Sequence, residues 1–110
     1  VLNEFEDDPA VDVMRAESVE AAEMIENDAL DVVYIDANHQ QAYQDAVAWW
    51  PKVRVGGYLM GHDYIDPAVY EPRDFITVKQ DVDRFASERG LQVTATRERY
   101  ATWLIHKELP

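Results

Sequence analysis

The sequence has no cysteine, four glycines, and ten basic residues against 22 acidic ones. The missing cysteines remove disulfide frameworks and thiolate metal sites. The shortage of Lys and Arg, with a formal net charge of −12, removes the cationic footprint that nucleic-acid binding requires. The glycines, at positions 56, 57, 61 and 90, make no G-x-G-x-x-G turn opening a helix. No apolar run approaches the ~18 residues of a membrane span, and there is no signal-peptide pattern. The expectation is a soluble cytoplasmic protein with neither nucleic-acid nor membrane partners.

What is present suits one domain over residues 1–110. The chain has 47% apolar residues, and a domain of this size buries roughly 65% of its unfolded surface. Its acids are spread along the chain and read mostly as solvated surface.

Periodicity gives alternating helices and strands. Val1 to Asp7 reads as the tail of a helix closed by Asp8-Pro9. Val11, Val13 and Met14 suggest a short strand. Ser18 is positioned to cap a helix carrying Ala21, Ala22, Ile25 and Ala29. Asp31 to Ile35 is a continuous apolar run of the kind covered on both faces. Gln40 to Trp50 is helical, with Tyr43, Val47 and Trp50 on one side, and Pro51 ends it. Gly56 and Gly57 serve a backbone turn before a strand over Tyr58 to Gly61. Residues 64–76 read as a loop. Thr77 to Arg89 forms a helix with Val78, Val82, Phe85 and Ala86 inward and Gly90 past its end. Leu91–Thr96 and Tyr100–Ile105 alternate as a closing antiparallel hairpin. This order predicts an α/β, Rossmann-like, mainly parallel sheet with helices on both faces.

In such sheets ligands sit beyond the carboxyl ends of the strands. There the sequence places Asp36, and later His62 and Asp63. The run "VVYIDANHQQAYQDAVAWWPKVRVGGYLMGHDY" resembles the fourth strand, helix and fifth strand of class I S-adenosylmethionine-dependent methyltransferases, in their small-molecule and sugar O-methyltransferase branch. The resemblance extends back through "RAESVEAAE" and forward through "VKQDVDRFASERGL" and "YATWLIHK". It implies a truncated methyltransferase fold lacking the first two strands and the glycine-rich cofactor loop.

The resemblance also implies roles. His39 becomes the general base, an imidazole able to take a hydroxyl proton near neutral pH. Glu17, Ser18 and Asp36 fall on the cofactor side. Asp36, His62 and Asp63 fall where metal-dependent relatives hold Mg²⁺, and an imidazole in the set shifts preference toward Mn²⁺ or Zn²⁺. The implied reaction moves a methyl group from S-adenosylmethionine to a small-molecule or sugar hydroxyl. Taken without the resemblance, Glu17 and Ser18 read as a helix cap, Trp49 and Trp50 as core or interface packing, and His106 as having no catalytic part. A metal-dependent hydrolase is a weaker reading, for want of a second acid cluster.

The alternative is a non-catalytic, truncated methyltransferase-fold module. Without the first two strands, one edge of the 31–35 strand lies open, and open apolar edges invite pairing. The expectation is either a rearranged sheet with 11–14 beside 31–35, or a homo-oligomer, dimer or higher, that closes the edge.

Overall fold

A computed structural model of the chain describes residues 8–36, 40–65, 77–98 and 100–109. Helix α1 spans Ser18–Glu23, strand β1 Leu30–Ile35, helix α2 Ala42–Trp49, a 3₁₀ turn Trp50–Lys52, and strand β2 Val53–Gly61. Helix α3 follows at Val78–Arg89, then β3 at Thr94–Ala95 and β4 at Trp103–His106. The strand order is β1-β2-β4-β3. β1 and β2 run parallel, and both β2–β4 and β3–β4 are antiparallel. The α/β class and the closing hairpin are as expected. The described sheet is mixed rather than mainly parallel, because it contains one βαβ crossover, through α2, and the remaining strand pairs are antiparallel.

Residues 11–14 form no strand; Val13 and Met14 are half-exposed. The rearranged sheet with this segment beside β1 is therefore not what the chain adopts. So short a segment makes few ladder hydrogen bonds against about 1–2 kcal/mol of backbone entropy per residue. β1 is left as an edge of the described sheet. The proposed helix tail over residues 1–7 lies outside the described residues.

The core lies on one face of the sheet. Val33, Leu59, Trp103 and Ile105 meet Ala42 and Ala46 of α2 and Val78, Val82, Phe85 and Ala86 of α3. α3 matches its expected face, and Gly90 ends it at a left-handed φ of 66°. α2 is rotated from expectation: its buried positions are Ala42, Asp45 and Ala46, while Val47 is exposed. Trp50 belongs to the 3₁₀ turn, which breaks the helical phase that had grouped it with Tyr43 and Val47. Small alanines on the true face allow close approach to the sheet. On the other face Val32, Tyr34 and Tyr58 are half-exposed, and His106 stacks on Tyr58 at 4.7 Å. Among the described residues, helices therefore cover one face and not both.

Two devices hold the β1–β2 ribbon. Lys107 folds its ammonium onto the carbonyls of Trp50, at 2.9 Å, and Val53, at 2.7 Å, capping the 3₁₀ turn. Gly56 sits at a φ of 89° in a bulge where pairing jumps from Leu30↔Val53 to Val32↔Tyr58. The two glycines thus lie inside β2 rather than before it, and Gly57 permits close approach to the Asp31 carbonyl. Among the described residues no helix is long and apolar enough to cross a membrane.

Gly61 is the tightest point for a side chain near the carboxyl edge. A Cβ there would lie 2.6 Å from both the Ile35 carbonyl oxygen and Trp103 Nε1. Trp103 is wholly buried and Ile35 O is backbone, so neither yields easily. Gly61→Ala should lower stability by roughly 1–3 kcal/mol, as overpacking does. Urea denaturation would measure it, and a wild-type midpoint would show that the indole can move aside.

Candidate functional site

β1 and β2 run parallel with Ile35 beside Gly61, so the next residues, Asp36 and His62, emerge side by side. Asp63 follows in a left-handed conformation, φ 57°, which aspartate tolerates better than most residues. One ligand atom each from Asp36, His62 and Asp63 lies within 4.8 Å of the others. His62 Nδ1 is 3.2 Å from Asp63 Oδ1. Asp36 is exposed, and the other two are half-buried.

Two carboxylates and an imidazole fit a small divalent cation. With bonds of about 2.0–2.2 Å, its ligands stand roughly 3–4.4 Å apart, so the cluster needs only slight contraction. The open side at Asp36 leaves room for a further oxygen ligand. Tyr34 stands close by. Its phenol pKa is raised above 10.0, first by burial and then by the negative charges of Asp36, Asp63 and Glu98. The phenol therefore stays protonated near neutral pH and can donate hydrogen bonds toward this acidic corner.

A cleft of about 270 Å³ runs along β1, lined by Ser18, Trp49, Val32, Tyr34 and Asp36 among others. It brings together two of the three expected cofactor-side residues. Glu17 is not among its lining residues; it is the exposed N-cap of α1, with no side-chain capping bond. Ser18 is not the cap expected of it. It is the first helical residue, and its Oγ accepts a 2.8 Å hydrogen bond from Trp49 Nε1, tying α1 to α2. Trp49 and Trp50 pack against the core, as anticipated. His39 lies outside the described residues.

Sequence reasoning missed Asp45. It is 1% exposed, and neither carboxylate oxygen has a partner of ordinary hydrogen-bond geometry. Its signal was available: an acid three residues after Ala42 and four before Trp49, on an otherwise inward face. Burial pushes its pKa above 3.8, and the neighbouring Ser18 hydroxyl only partly offsets this. Because the native state holds this proton longer than the unfolded chain, its contribution is greatest below the unfolded value. It is lost as pH climbs through the raised native pKa. Asp45→Asn should remove that slope and leave the protein more stable than wild type at pH 7, because the amide has no ionisation to resist. Thermal unfolding of both proteins from pH 4 to 8 tests this, and parallel profiles would refute it.

A family model described as a methyltransferase domain matches residues 3–64. Among solved structures, a protein from Corynebacterium glutamicum matches with a TM-score of 0.77 at 19% identity, over 99% of this chain and 53% of its own. An SAH-bound methyltransferase from Podospora anserina matches at 0.71 and 10% identity, over 98% and 53% of the two chains. An O-methyltransferase from Bacillus cereus, in complex with SAH, matches at 0.57 and 20% identity, over 83% and 46%. The chain thus spans about half the length of these structures. No curated protein matches the sequence.

Proposed function

Because the chain belongs to the methyltransferase-domain family, we propose that it forms the acceptor side of an S-adenosylmethionine-dependent O-methyltransferase acting on a small-molecule or sugar hydroxyl. The observation that carries this reading is the convergence of Asp36, His62 and Asp63 within 4.8 Å at the carboxyl edge of the parallel pair. A divalent cation held there would lower the acceptor hydroxyl's pKa and orient it. His39 takes the hydroxyl proton as the oxygen attacks the methyl carbon, whose bond to the cofactor sulfur breaks. Ser18 and Asp36, both lining the β1 cleft, serve the cofactor side, as does Glu17 from the N-cap of α1. Holding donor and acceptor in line supplies much of the rate.

A second reading has its own support. β1 as an edge of the described sheet, with Val32 and Tyr34 half-exposed, suits a non-catalytic module that closes its sheet by forming a homo-oligomer.

Calorimetric titration with S-adenosylmethionine and its demethylated product, with and without Mg²⁺ or Mn²⁺, separates the two. The enzyme reading expects saturable binding strengthened by the metal. No heat at millimolar ligand, together with a concentration-dependent dimer in sedimentation, would favour the module. Where turnover is measurable, His39→Ala should cost ~10²–10⁴-fold. A variant that keeps most of its turnover would remove His39 from the reaction.

A further inference from the structure

Immediately after the histidine–acid pair, Tyr64 turns away from the carboxyl edge toward α3. Its phenol donates to Asp83 Oδ1, and Lys79 Nζ donates to Asp83 Oδ2 at 2.7 Å. The same ammonium stands 4.9 Å from the centre of the Tyr64 ring. The Tyr64 amide donates to the Ala101 carbonyl at 3.0 Å. The next residue, Ile65, is 7% exposed. Contacts from α3 and from the approach to β4 therefore meet on the residue that follows Asp63.

Asp63 needs such support. A non-glycine residue at φ 57° occupies a sparsely populated conformation, which persists where its surroundings over-determine it. Tyr64 is well placed to supply this. Its backbone is fixed on one side by Ala101, and its ring is fixed on the other by Asp83, whose second oxygen is occupied by Lys79. An i,i+4 ion pair such as Lys79–Asp83 adds little stability by itself when partly exposed. Its consequence here is orientational: it holds the carboxylate that receives the phenol.

We propose that Tyr64, held by Asp83 and Lys79, is a positioning residue that locks Asp63 in its left-handed conformation and so aims the Asp63 carboxylate and the His62 imidazole at Asp36. The proposal rests on the divalent-cation reading of that cluster. It adds a supporting layer that none of the three ligand residues contains. Removing the phenol–carboxylate bond leaves all three ligands in the chain but lets the Asp63 turn relax. Losing a group that bonds a metal ligand directly typically weakens metal binding by roughly 10–100-fold; the Tyr64 phenol acts one step further out, so the lower end of that range is expected.

The test uses the 110-residue chain and Mn²⁺ alone, read by paramagnetic relaxation of water protons. Amide hydrogen exchange at residues 62–64 is measured alongside, without metal. Tyr64→Phe keeps the ring and loses the hydroxyl; it should lose roughly tenfold in Mn²⁺ affinity and exchange faster at these amides, with a thermal midpoint close to wild type. Asp83→Ala should behave like Tyr64→Phe. Asp83→Asn retains an acceptor oxygen for the phenol but loses the Lys79 ion pair, and should fall between wild type and Asp83→Ala. Wild-type Mn²⁺ affinity and unchanged exchange in both Tyr64→Phe and Asp83→Ala would overturn the proposal. If the unaltered chain binds no Mn²⁺, the cation reading falls, and exchange alone then decides: unchanged protection in both variants overturns the lock, and accelerated exchange upholds it.

Discussion

The parallel register of β1 on β2 is the constraint on which the rest of the carboxyl edge depends. With Ile35 beside Gly61, the chain delivers Asp36 and His62 at the same height. A slip of one residue would turn the strand's faces over, sending Val33 to solvent and Val32 into the core. Close contacts resist that slip. The Trp103 indole occupies the place of a Gly61 side chain, and the Asp31 carbonyl crowds Gly57. The glycines in β2 therefore hold register by letting bulky neighbours approach, and the site's geometry follows from their lack of a Cβ.

Much of this was legible in the sequence. The β1 run ending in Asp36, the α3 stripe with Gly90 behind it, and the hairpin all follow local periodicity, and the structure reproduces them. So does the meeting of Asp36, His62 and Asp63, because parallel strands place their following residues together. One group of misreadings came from assigning nearby residues to a single period. Trp50 fitted the helical spacing of α2 but falls in a 3₁₀ turn, so the inward face belongs to Ala42, Asp45 and Ala46. Ser18 looked like a cap, yet its hydroxyl is engaged by an indole 31 residues away. The link from Tyr64 to Asp83 was beyond local reading, since it joins residues 19 apart.

Part-buried Lys107 and fully buried Asp45 show opposite solutions to leaving water. Lys107 finds two carbonyls and lies 5.0 Å from the Trp50 ring, so its charge is used to close a turn. Asp45 finds no partner of ordinary geometry and resists ionisation instead. The first makes the end of the chain part of the β1–β2 scaffold. The second leaves a polar flaw beside the Ser18–Trp49 bond, at the joint between α1 and α2.

Among the described residues one face of the sheet carries no helix, and this bears on how copies of the chain approach each other. Val32, Tyr34 and Tyr58 offer a short-range apolar attraction, while a formal charge of −12 surrounds each molecule with a repulsive field. That field reaches about 30 Å at 0.01 M ionic strength and about 8 Å at 0.15 M. Dilute buffer thus opposes contact between copies of this chain, and any gain at their faces must exceed that repulsion. Salt, by shortening the field, determines when the sheet becomes sticky, and a basic partner would meet no such barrier.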